Sequence, residues 1–82
     1  MKTVFITGGS TGIGAASVKK FIQQGWNVGF MDINEEAAHE RMEEINRPDQ
    51  LIFVPGNTRN REDIRNAVEE TVKRFGQLDS VV

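Results

Sequence analysis

An apolar run, Val4-Phe5-Ile6, opens directly onto Thr7-Gly8-Gly9-Ser10-Thr11-Gly12-Ile13-Gly14-Ala15-Ala16, and a helical apolar stripe follows at once. A buried strand that meets glycines at 8, 12 and 14 is expected to turn sharply into a helix. That geometry holds the pyrophosphate of a dinucleotide on backbone N–H groups at the helix N-terminus. Gly8 lets the chain leave the strand at angles a side chain forbids. Gly12 removes the Cβ that would keep a phosphate from the amides, and Gly14 lets the helix pack close on the strand. Eight glycines in 82 residues make the spacing alone weak. The context carries it: a strand before, a helix after, and an acid, Asp32, 18 positions beyond Gly14. A purely structural turn is the competing reading.

The rest of the chain supplies the support such a turn needs. Ala15, Ala16, Val18, Phe21 and Ile22 form the inner stripe of a helix over 13–24, with Lys19, Lys20, Gln23 and Gln24 opposite and Gly25 as its stop. Residues 26–31 read as a second strand ending at Asp32, with Trp26 packing at its start. Asn34 is a predicted N-cap for a helix through Ile45, with Glu35 and Glu36 in the first turn, facing inward through Ala38, Met42 and Ile45. Leu51-Ile52-Phe53-Val54 is continuously apolar, as in a parallel strand covered on both faces. Asn60 is expected to cap a last helix, with Asp63 in a capping-box position. Its stripe is Ile64, Ala67, Val68, Thr71, Val72 and Phe75, and Gly76 ends it. Leu78 to Val82 opens a fourth strand. The order β-α-β-α-β-α-β with short connections implies an α/β fold, a Rossmann-type doubly wound parallel sheet with strand order 3-2-1-4 and the glycine turn at the switch point between strands 1 and 4. Strand 4 would be an unprotected edge, so the isolated chain is expected to be marginally stable.

Asp32 is the second informative residue. A carboxylate at the end of the second strand accepts hydrogen bonds from the adenosine ribose and repels a 2′-phosphate, which favours NAD over NADP. An acid meeting a helix dipole is the alternative.

Composition excludes several classes. The net charge of −2 is not that of a general nucleic-acid binder. No cysteine is present, so disulfides are excluded, and no apolar stretch reaches the length of a membrane span. A soluble, cytoplasmic protein is expected. Residues 1–31 carry Lys2, Lys19 and Lys20 without an acid, which suits an anionic ligand at the turn. Residues 32–46 carry Asp32, Glu35, Glu36, Glu40, Glu43 and Glu44 against Arg41 alone, read as a solvated acidic face. His39 has no Cys or His partner, so neither a metal site nor a catalytic pair is expected there. The turn lacks the Gly-Lys-Ser/Thr ending of a P-loop kinase. The third strand lacks the terminal aspartate of a response-regulator-like domain.

Thr7-Gly8-Gly9-Ser10-Thr11-Gly12-Ile13-Gly14 resembles the TGxxxGxG cofactor motif of the short-chain dehydrogenase/reductase family, and the similarity runs through residue 82. The resemblance implies hydride transfer between NAD(H) and an alcohol or carbonyl substrate, in a protein that forms homo-oligomers and of which these residues are about the first third. It places the backbone at Gly8, Gly12, Ile13 and Gly14 on the pyrophosphate, Ser10 and Thr11 near the ribose and phosphates, and Asp32 and Ile33 at the adenosine. No Arg or Lys stands beside Asp32 or before Gly12, where NADP-using relatives commonly place one. The adenine positions, acidic then aliphatic in the family, correspond to Asn57 and Thr58. Asn57 keeps a carbonyl acceptor and loses the charge, so weaker adenine support is expected.

The family's Asn-Asn-Ala-Gly segment, catalytic Ser and Tyr-x-x-x-Lys pair have no counterparts here, and the chain contains no tyrosine. The 82 residues are therefore expected to be the N-terminal part of one dinucleotide-binding domain, truncated in strand 4 and inactive alone. The alternative is a stand-alone, non-catalytic nucleotide-binding or interaction module.

Overall fold

A computed structural model describes residues 1–82. Four parallel strands, β1 (Thr3–Thr7), β2 (Asn27–Asp32), β3 (Leu51–Pro55) and β4 (Ser80–Val81), form one sheet in the order β3-β2-β1-β4. Helices α1 (Gly12–Gln23), α2 (Glu35–Ile45) and α3 (Arg61–Phe75) make the crossovers. The expected strand order is therefore the observed one. The first two crossovers step the sheet outward from β1, and the third returns across β1 to place β4 on its other side.

Strand alternation decides which helix covers which face. Val4 and Ile6 of β1, with Val28 and Phe30 of β2 and Leu51 of β3, pack against Val18 and Ile22 of α1 and Ala38 of α2. Phe5, Met31 and Val54 point the other way, onto Ala67 of α3, with Ile52, Ile64, Val68 and Leu78 around them. Both faces are covered, so the strands are apolar throughout.

The α3 stripe differs in detail from its sequence pattern. Ala67 and Thr71 are buried, whereas Val72 is exposed. The reason lies in β2. A Cβ on Gly29 would fall 2.1 Å from Thr71 Oγ1, so the helix sits close over a strand position that has no side chain, and its small residues face the sheet. Thr71 satisfies its buried hydroxyl by donating to the Ala67 carbonyl at 2.8 Å.

Caps follow the sequence with one correction. Asn34 Oδ1 accepts from Ala37 N–H at 3.0 Å, and Asn60 Oδ1 accepts from Glu62 and Asp63 N–H at 2.9 and 3.3 Å. Each such cap is worth about 1 kcal/mol. Asp63, however, does not complete a capping box. Its Oδ2 accepts from the N–H of Asn57 at 2.9 Å, bracing the loop after β3 instead. Trp26 lies just outside β2, its ring edge-on to Phe21 with centroids 4.9 Å apart. Strand β4 covers Ser80–Val81, and just before it Asp79 accepts the Thr3 N–H on Oδ2 at 2.8 Å.

Candidate functional site

The β1–α1 turn stands at the C-terminal ends of the strands, where open α/β sheets bind ligands. Gly8 N–H donates to the Met31 carbonyl at 2.8 Å, which ties the turn to β2. The chain then passes through a left-handed Gly12, φ 57°, whose missing Cβ would point into open space. At Gly14 the constraint is contact: a Cβ there would lie 1.8 Å from the Gly8 carbonyl oxygen. The first helical turn and the turn before it touch backbone to backbone. Gly9 has a comparable role that the spacing argument passed over, since a Cβ on it would meet the Phe30 ring at 2.7 Å.

Helix α1 begins without a side-chain cap. Thr11 is the N-cap residue and makes no cap bond, and the first α1 amide with a backbone partner is that of Ala15, which donates to the Thr11 carbonyl at 3.3 Å. The N–H groups of Gly12, Ile13 and Gly14 thus have no acceptor within the chain. No acid sits in this first turn, in contrast to α2 and α3, which carry two each. Free donors at the positive end of a helix, with no acid in its own first turn, suit an anion.

Asp32 ends β2 beside the turn. Its Oδ2 accepts the Ser10 hydroxyl and, at 3.1 Å, the Ser10 N–H, and its Oδ1 accepts Asn34 N–H at 3.2 Å. Burial works to raise the Asp32 carboxyl. The Ser10 hydroxyl and the N–H groups of Asn34, Ser10 and Ile33 outweigh it and hold the group below its ordinary value. The carboxylate is therefore ionised and acceptor-only. Both Ser10 donors sit on Oδ2, the Asn34 N–H sits on Oδ1, and the Ile33 N–H is also directed at the carboxylate, so Oδ1 is the less engaged oxygen by the hydrogen bonds with assigned partners.

Ser10 is wholly buried, an unusual environment for a serine and one that its bond to Asp32 explains. Ile13 and Ile33 flank the turn with exposed apolar side chains, 88% and 70% accessible. The Asn57–Thr58 loop follows β3 at the same strand ends, and Gly56 N–H donates to the Asp32 carbonyl at 3.2 Å. Asn57 Oδ1 accepts from Arg59 N–H at 2.9 Å, so its carboxamide acceptor is already engaged once within its own turn.

The sequence-selected residues thus gather at one end of the sheet. Ser10 and Asp32 are in direct contact, Gly8 and Gly14 are packed together, and Asn57 and Thr58 lie on the neighbouring loop without a hydrogen bond to them. Sequence reading missed Arg41, whose Nη1 donates to the Ser10 carbonyl at 3.4 Å. Its lone basic character within an acidic segment was the available signal. The clefts of the molecule lie elsewhere; one is bounded by Lys19, Gln23, Glu44 and Arg47 at the opposite ends of the strands. No helix is long and apolar enough to cross a membrane.

The family model for short chain dehydrogenase matches residues 2–82. The chain is 41% identical over 81 residues to L-fucose dehydrogenase of Mus musculus, covering 99% of this chain and 29% of that protein. It is 40% identical over 79 residues to cis-3,4-dihydrophenanthrene-3,4-diol dehydrogenase of Alcaligenes faecalis, covering 96% and 28%. Among solved structures, 3-ketoacyl-(acyl-carrier-protein) reductase from Brucella melitensis, complexed with NADH, superposes with a TM-score of 0.89 at 29% identity over 98% of this chain and 32% of that one. The chain spans less than a third of the length of these relatives. With the 3-2-1-4 sheet, the glycine turn and the family match in agreement, the chain belongs to the short-chain dehydrogenase family.

Proposed function

We propose that this chain forms the dinucleotide-binding part of an NAD-dependent oxidoreductase that, as a complete protein, transfers a hydride between NAD(H) and an alcohol or carbonyl compound. The observation that carries the reading is the pairing of Ser10 with Asp32 beside a helix N-terminus whose first amides are unpaired. The donor set fits the group. The N–H groups of Gly12, Ile13 and Gly14 take the pyrophosphate oxygens, in the space where a Cβ on Gly12 would point. Oδ1, the less engaged oxygen of Asp32, accepts an adenosine ribose hydroxyl, and the carboxylate charge opposes a 2′-phosphate. Ile13 and Ile33 offer apolar surface to the adenosine, and Asn57 and Thr58 stand at the base. The NADH complex of the Brucella reductase supports the choice of a nicotinamide dinucleotide.

When bound, the nicotinamide supplies the hydride acceptor or donor; the residues of this chain bind and orient it. None of them is assigned an acid or base role, so residues 1–82 alone are proposed to be inactive. The lack of cysteine fits a reducing, cytoplasmic setting.

Asp32→Ala tests the reading. Calorimetric titration of the full-length gene product with NAD and NADP should show the preference for NAD narrowed by about tenfold or more, the worth of one charge-assisted hydrogen bond. An unchanged preference would remove Asp32 from the ribose.

A further inference from the structure

Arg41 is the one Arg or Lys among the acids of residues 32–46, and α2 carries it back over the glycine turn. Its guanidinium is a two-ended clamp. Nη1 donates to the Ser10 carbonyl at 3.4 Å, and Nη2 lies 3.3 Å from Glu44, which is in turn paired with Lys19 on α1. No backbone N–H reaches the Ser10 carbonyl, so Arg41 is its only donor within the chain.

The placement is not explained by the stability of Arg41 itself. The side chain is only 24% accessible, and its Nε is sealed from solvent without a hydrogen-bond partner. An unpaired buried N–H opposes folding, and partly exposed ion pairs return little. A methionine would fill the same space without that cost.

Ser10 is two-sided. Its N–H and Oγ–H face Asp32 on β2, and its carbonyl faces α2. Gly8, Gly9 and Gly12 on either side place few torsional limits on the segment. Ser10 is thus held from two sides, by Asp32 on β2 and by Arg41 on α2, and Arg41 is the hold on its carbonyl side.

We infer that Arg41 is a positioning residue for cofactor selection: by holding the Ser10 carbonyl from α2, it keeps the Ser10 N–H and hydroxyl on Asp32 Oδ2 and leaves Oδ1 as the side that meets the adenosine ribose. The inference rests on the ribose role proposed for Asp32. Arg41 itself touches no cofactor. Its planar fork reaches Ser10 and Glu44 at once, which the single ammonium of a lysine does less well.

The test is titration of the full-length gene product with NADH and with NADPH, followed by ligand fluorescence. Arg41→Met should narrow the NADH-over-NADPH preference about fivefold, mainly by weakening NADH, and Arg41→Lys should restore part of it. Lys19→Met cuts the α1–α2 ion pair but leaves the Ser10 contact, and should keep the parent preference. A general loosening of the fold would lower both affinities together and leave the ratio unmoved. The inference is overturned by an unchanged ratio in the Arg41 variants while Asp32→Ala narrows it, or by equal narrowing in Lys19→Met. Where Arg41→Met does not fold, Arg41→Lys decides alone. An unchanged ratio in Asp32→Ala instead removes the ribose reading itself.

Discussion

Alanine at Gly14 and alanine at Gly12 add the same methyl group two residues apart, yet they should fail in different ways. At Gly14 the new Cβ would sit 1.8 Å from the Gly8 carbonyl oxygen, where ordinary contact begins near 3.4 Å. The α1 N-terminus must therefore withdraw from the turn by about 1.6 Å, the difference between those two distances. The obstacle is backbone on both sides, so no side chain can swing away. Overpacking of this kind costs about 3 kcal/mol, which for a domain of this size lowers Tm by roughly 12–24 °C.

At Gly12 the new Cβ meets nothing, and the penalty is the left-handed φ of 57°. That costs about 1 kcal/mol, or roughly 4–8 °C. Cofactor affinity should show the reverse imbalance. Gly12→Ala puts a methyl where the pyrophosphate is proposed to lie and should weaken NADH more than about tenfold, since losing a single charge-assisted bond accounts for that much. Thermal melts followed by Trp26 fluorescence, paired with NADH titration of the same samples, separate the two. Equal Tm losses in the two variants, or a Gly14→Ala protein as stable as the parent, would refute the geometric argument. A Gly12→Ala protein that binds NADH normally would refute the placement of the phosphate.

Two further outcomes follow from the packing and the charges. Gly29→Ala drives a Cβ into Thr71 and should destabilise the protein by about 2 kcal/mol; adding Thr71→Ala removes the two nearest atoms and should recover part of the loss, and a Gly29→Ala protein with an unaltered denaturation midpoint would contradict the close approach of α3. Asp32 has a depressed folded-state pKa, so it contributes stability above the unfolded carboxylate value, near pH 4, and that contribution is lost as pH falls through the lower folded value. Denaturant midpoints between pH 7 and pH 3 should therefore fall less steeply in Asp32→Asn than in the parent, and parallel curves would show that the carboxylate is not preferentially ionised in the fold.

The parts of this molecule that the sequence made legible are those written in single residues with one physical job. Asn34 and Asn60 cap helices because their side chains have little else to do there, and Gly8, Gly12 and Gly14 mark a turn that uses left-handed backbone at the first two and a backbone contact at the third. The parts that stayed hidden are pairwise. Gly29 and Thr71 explain each other, 42 positions apart, and only the docked helix shows why Val72 turns outward. Asp63 matched a local capping pattern and lost to a better use of its carboxylate, the unpaired N–H of Asn57. Ser10 and Asp32 were each selected for the site, but their contact, and Arg41 behind it, depend on how α2 lies over the turn. Gly29 in a strand interior was the one legible warning of a close approach.

The pairing of β1 carries a consequence for assembly. The strand that leads into the glycine turn is hydrogen-bonded along one side to β2 and along the other to residues 79–82, through Asp79 N–H to Thr3, Val82 N–H to Phe5 and Thr7 N–H to Val82. The first contact closes a loop of about 25 residues and the second one of about 75, a difference of roughly 1 kcal/mol in chain entropy. On a ribosome β1, made before β2 and β4, is thus flanked on its second side only once residues 79–82 have been made. The β1–β2 half can dock as soon as α1 and β2 have emerged, while the other flank waits for the fourth strand. Until then the turn is built on a strand with one bare edge, and a nascent chain stalled before residue 79 should be open to protease at β1 and protected beyond it.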